Sequence, residues 1–143
     1  MSFEAILLPM LVQVALTFVL LFWTILLRLG AIRRGTVTAD SVALREPHWP
    51  PYVQQVGNAF HNSVEMPTLF YVVVLLGLIT KTLDVTVYVL MWMFVLSRIA
   101  HAAIHVTSNR LSHRTPLFLV GAIALALIWI IICGRIFAFQ SLS

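Results

Sequence analysis

Asn58, His61, Asn62 and Glu65 stand at i, i+3, i+4 and i+7, so on an α-helix they share one face. Arg98, His101 and His105 stand at i, i+3 and i+7 and share another. Arg110 and Arg114 follow, with Thr115 adjoining. A carboxylate, amides, imidazoles and guanidinium groups in this order can hold and orient an anion. Arginine stays protonated and is no general base in its resting form. Its use is electrostatic: a guanidinium favours the charged form of an anion beside it.

These groups lie in apolar surroundings. The chain has 143 residues, 61% of them hydrophobic and 10% charged, with a mean hydropathy of +1.00. Soluble domains run about 45–50% apolar and about 25% charged, so this composition is that of a membrane domain. Disorder, a collagen-like fibre and a disulfide scaffold are excluded, and the single Cys133 has no partner for an internal disulfide. The net charge of +4 does not indicate nucleic acid, because the Lys and Arg residues punctuate the ends of apolar runs instead of forming a patch with interleaved aromatics.

Crossing the hydrocarbon core takes roughly 20 apolar residues per helix. Ile6 to Leu27 is free of formal charge, and so is Thr115 to Cys133. Glu4 precedes the first of these runs where a cleavable signal peptide would be basic. Two further spans are ambiguous only where they carry the polar faces. The reading is an all-α transmembrane four-helix bundle, one domain over 1–143, with helices at about 5–29, 56–80, 83–107 and 115–138. Residues 28–55 form the one long polar connection, with Trp49 and Tyr52 suited to the membrane interface. Gly77 and Gly121 would permit close helix contact, an incidental placement being the simpler reading. Arg28, Arg33, Arg34 and Arg45 share a face with Arg110 and Arg114, against Lys81 and Arg135 opposite. The positive-inside rule then puts both basic loops in the cytoplasm and both termini outside it, as in a bacterial inner membrane.

At about 1.5 Å rise per residue, Glu65 lies roughly 14 Å and Arg98 roughly 12 Å from the same end of their helices. An ion pair between them is expected, since either charge alone would cost several kcal/mol. The pair would organise a polar pocket open to the cytoplasm; the plainer alternative is that it only pins two helices in register. For His61, His101 and His105 taken singly, hydrogen-bonded packing is the first expectation. A haem or metal protein is a weaker rival, resting on His61 and His101 at equal depth.

The string from Asn58 through Asn62, Glu65 and Pro67 to Tyr71 resembles the second-helix signature of the MAPEG family, the membrane-associated proteins in eicosanoid and glutathione metabolism. The string from Arg98 through His101, His105, Arg110 and Arg114 to Thr115 is similar to that family's third helix, third loop and fourth-helix start. The resemblance implies a homotrimer of four-helix subunits in membrane lipid, with glutathione between subunits and a lipophilic substrate arriving from the bilayer. It assigns glutathione contacts to Asn62, Glu65, Arg98, His101 and Arg110, with His105 also at the site and either Arg28 or Arg33 supplying the first-helix Arg. Arg114 would face the thiol, and Thr115 would stand where one branch has Ser. The activity implied is thiol conjugation to lipophilic electrophiles, or lipid hydroperoxide reduction. The alternative is a non-catalytic member binding lipid or a partner protein. This chain departs from the pattern where His105 and Phe118 stand in place of Tyr, and Asn58 and His61 in place of Arg. Each change removes a donor or a positive charge.

Overall fold

The computed structural model describes residues 3–42 and 48–140; Arg45 and Glu46 of the first loop lie outside them. Four helices run in order, α1 (Phe3–Arg33), α2 (Pro51–Ile79), α3 (Val85–Val106) and α4 (Leu111–Gln140), with one short 3-10 turn at Asp40–Val42. No strand occurs among the described residues. All four helices are long and apolar enough to cross a membrane. The protein is an integral, multi-pass membrane protein.

Two helices start earlier than the sequence suggests. α2 begins at Pro51 instead of near 56. A proline in the first turn has its φ already set, and the N–H it lacks would be unbonded there anyway. α4 begins at Leu111 instead of 115, because the Arg110 carbonyl accepts from the amides of His113 and Arg114. Arg114 therefore sits in a rigid first turn, not in a loop.

α2 and α3 form the centre of the bundle. α1 packs on α2 and α3, α4 packs on α3 and α2, and α1 and α4 do not touch among the described residues. One half is a continuous apolar core: Phe70 stacks on Phe94 with ring centroids 4.5 Å apart, and Val73, Val74, Met91, Ile128 and Ile132 are buried around them. Both glycines prove to be close-approach positions, which corrects the incidental reading. A Cβ at Gly121 would come within 2.6 Å of Ser97 Oγ on α3, and one at Gly77 would fall on the Leu83 side chain.

Pro67, buried inside α2, has no N–H for the Ser63 carbonyl one turn back. Thr17 of α1 donates its hydroxyl to that carbonyl at 3.1 Å. A backbone acceptor that lipid could not satisfy is thereby satisfied by a neighbouring helix.

The α2–α3 turn closes as a Schellman motif: the amide of Thr82 bonds the Gly77 carbonyl and that of Lys81 bonds the Leu78 carbonyl. Asp84 caps α3, accepting from the Val87 amide at 3.0 Å. Arg135 of α4 donates to Asp84 Oδ2 and to the Thr82 carbonyl, each at 2.6 Å. The Arg135 guanidinium, together with the Val87 amide, holds the Asp84 carboxyl below the usual carboxylate range.

Candidate functional site

The site grows from the last two turns of α3. Val87, Met91, Phe94 and Val95 bury one stripe of that helix, and the same stripe continues into Arg98, His101 and His105. The polar residues are thus carried into the protein interior: Arg98 is 2% exposed, His101 4% and His105 2%.

Their partners come from three directions. Arg98 Nη2 donates to the Asn62 carbonyl of α2 at 2.9 Å, and its guanidinium lies 5.6 Å from the Phe118 ring centroid of α4. His101 Nδ1 bonds the Arg114 carbonyl at 3.0 Å. That oxygen only accepts, so Nδ1 carries the hydrogen and Nε2 is left as an acceptor. His105 Nε2 lies 2.9 Å from Arg114 Nη1, and because arginine only donates, His105 accepts there. Arg114 Nη1 also donates to Asn109 Oδ1 at 2.7 Å. Among the described residues, buried Arg98 Nε, Arg98 Nη1, His101 Nε2 and His105 Nδ1 have no hydrogen-bond partner. Unpaired buried polar atoms are costly, so four of them together make this cluster the candidate site; Gln13 Nε2 and Oε1 and Arg28 Nε are the others without a partner among the described residues.

A hollow of about 210 Å³ opens beside this cluster, lined by Asn62, His101, Leu111, Arg114, Thr115 and Phe118. Asn62, Arg98, His101, His105, Arg114 and Thr115 are therefore brought together as the sequence expects. The expected Glu65–Arg98 ion pair does not form. Glu65 is exposed, with no hydrogen bond or ion pair among the described residues, while Arg98 is satisfied in part by a backbone carbonyl. The reason is rotational. α2 turns its Ala59, Ser63, Pro67 and Phe70 stripe inward, and Glu65 lies about 200° round the helix from Ser63. Asn58, His61 and Glu65 are consequently left on the outside of the single chain.

Two other expected residues lie apart from the hollow. Arg110 is exposed at the start of α4. Arg28 of α1 lies under Trp49, 5.1 Å from its ring, in a second hollow of about 400 Å³ that His61 and Gln54 also line. His61 and His101 thus face different hollows. Within one chain they do not bracket an iron, and no cluster of three potential metal ligands exists among the described residues.

Sequence reasoning missed two residues, Asn109 and Gln55, and named Phe118 only as a departure from the family pattern. Asn109 adopts a left-handed φ of 50° just past α3 and aims its side chain at Arg114. Its signal was legible, since asparagine tolerates that conformation after a helix. Gln55 reaches from α2 to the carbonyls of His105 and Thr107, fixing the end of α3. Phe118 forms the apolar wall against which both Arg98 and His101 lie.

The sequence profile of the MAPEG family matches residues 6–134, nearly the whole chain. No curated protein and no solved structure matches it.

Proposed function

The chain belongs to the MAPEG family, and from that premise we propose that it is a glutathione-dependent membrane enzyme whose thiolate is stabilised by Arg114. The observation that carries this reading is the way Arg114 is held. His105 and Asn109 both engage Nη1, which fixes the plane of the guanidinium while Nη2 and Nε have no protein partner among the described residues. A pre-oriented cation with free donors, beside an apolar wall, lowers a thiol's pKa without having to reorganise. Thr115 supplies a neighbouring hydroxyl on the same rim.

The buried orphan atoms fit glutathione's chemistry. Arg98 Nε and Nη1 are donors suited to a carboxylate, and His101 Nε2 is an acceptor. The hollow itself, at about 210 Å³, falls short of the roughly 300–1,000 Å³ of ordinary ligand sites. We read it as half a site. Glu65 on the polar α2 face has no hydrogen bond or ion pair among the described residues, and a charge facing lipid costs about 2.5–3.5 kcal/mol even on lenient scales. A homotrimer covers that face with a neighbouring copy and sets the Arg28 hollow of one subunit against the Arg114 hollow of the next. Glu65 and Arg110 then border the ligand. In this arrangement the basic loops face the cytoplasm of a bacterial inner membrane, with both termini outside, and the lipophilic electrophile enters from the bilayer. In conjugation the thiolate forms a C–S bond and the electrophile's leaving group departs as an anion. In hydroperoxide reduction it attacks the terminal peroxide oxygen, the O–O bond breaks, and the alkoxide leaves and is protonated to the alcohol. A second glutathione thiol then converts the sulfenic acid to the disulfide and water.

The test is a glutathione titration of the purified protein in detergent, paired with an assay of conjugation to a generic aryl electrophile. Saturable binding with turnover is expected. Absence of both leaves the non-catalytic reading, which the Tyr and Arg replacements at His105, Phe118, Asn58 and His61 favour.

A further inference from the structure

At the opposite end of the bundle lies a hollow of about 740 Å³. α3 is 22 residues long, so this hollow is roughly 33 Å from the Arg114 site. The α2–α3 turn and the end of α4 form it: Thr80, Lys81, Thr82 and Asp84 with Arg135, over an apolar floor that includes Leu83 and Ile136. The polar groups are not all spent on one another. Arg135 bonds Asp84 and the Thr82 carbonyl, but both side chains remain about two-fifths exposed, at 36% and 44%. The Thr80 and Thr82 hydroxyls lie 2.9 Å apart. Lys81 is exposed, and its ammonium has no partner among the described residues.

Lys81 also stands where the backbone asks for glycine. It is the C′ residue of the Schellman motif, with φ of 55°, a conformation that costs a side-chain-bearing residue about 1 kcal/mol. The turn would be better without a side chain, so the ammonium is placed there at the expense of the turn.

We propose that this hollow binds a phospholipid bearing a primary ammonium headgroup. Lys81 and Arg135 hold the phosphate, and Asp84 accepts from the headgroup ammonium with its outward lone pairs. The Thr80 hydroxyl donates to the Leu76 carbonyl and that of Thr82 to Thr80 Oγ1, which fixes the wall of the hollow. The acyl chains leave over Leu83 and Ile136 into the bilayer. The arrangement of two cations, one carboxylate and an apolar floor at the end of a membrane span complements a zwitterionic lipid in both sign and polarity. It is independent of glutathione and of catalysis.

The experiment uses the delipidated protein in detergent, titrated with palmitoyl-oleoyl phosphatidylethanolamine, phosphatidylcholine or phosphatidylglycerol, with thermal stability and native mass spectrometry as readouts. Phosphatidylethanolamine should raise Tm and be retained in the mass spectrum. Lys81→Gly should weaken that binding at least tenfold while leaving lipid-free stability equal or higher, and Lys81→Arg should restore binding. Equal shifts for phosphatidylethanolamine and phosphatidylcholine, a preference for phosphatidylglycerol, or an undiminished effect in Lys81→Gly would each overturn the proposal. So would equally tight binding of glycerophosphoethanolamine, which has the headgroup but no tails.

Discussion

Arg114 at the start of α4 and Arg135 near its end present the same side chain in opposite situations. Arg135 spends Nη1 on a backbone carbonyl and Nη2 on a carboxylate, and it closes the turn it touches. Arg114 spends one nitrogen twice, on an imidazole and an amide, and keeps the others for the hollow. Buried Arg98 and both histidines beside it repeat the pattern of incomplete satisfaction. Arg135 is matched by an anion, whereas Arg114 is held in orientation by neutral groups and has no anion among the described residues. Charge count alone would have scored the two ends alike.

The contrast can be broken most severely at Arg114. On the proposed function, Arg114→Ala should lower kcat/KM for conjugation by roughly 10²–10³-fold, the usual cost of removing a pre-oriented electrostatic donor, with the elution volume in size-exclusion chromatography unchanged. Unchanged turnover would remove Arg114 from the mechanism. Gly121→Ala presses a methyl group onto Ser97 and should cost about 1–3 kcal/mol in denaturant unfolding, the range for overpacking. It tests whether the α3–α4 contact that carries both arginines is as close as described. Thr17→Val removes the hydroxyl that serves the Ser63 carbonyl and should cost about 1 kcal/mol.

The smallest effect belongs to the closed end. Asp84 has a depressed folded-state pKa, caused first by Arg135 and then by the Val87 amide. Its contribution is therefore present above the unfolded value of about 4 and is lost as pH falls below that, through the lower folded value. The group is well exposed, so the contribution is about 0.5 kcal/mol or less. Asp84→Asn should lower Tm slightly near neutrality, where the contribution is present, and flatten the Tm–pH curve below about pH 4, where the native chain loses it.

The four spans and the shared polar faces were legible because they rest on periodicity, which the chain carries locally. The α3 face kept its promise: its polar residues extend the same stripe as Met91 and Phe94, and packing took all of them inward. The α2 face did not. Glu65 and Ser63 are two residues apart, and only one of them can point inward on a helix. Periodicity groups residues on a face without saying which face the bundle buries. That choice was made by small and apolar residues, Ala59, Ser63 and Pro67, whose fit against α1 and α3 depends on partners distant in the chain.

By itself, then, the order of residues determined an all-helical membrane protein, its family, and the clustering of Asn62, His101 and Arg114 at one end. The tertiary structure decided that Arg98 answers a backbone carbonyl instead of Glu65, that Arg28 and Arg114 lie in separate hollows of one chain, and that Gly77 and Gly121 are contact points. The physical reason is the same for each. Helix formation is local and follows from hydropathy and backbone hydrogen bonding, whereas the pairing of side chains across helices depends on rotation about each helix axis, and close packing between helices is what fixes that rotation.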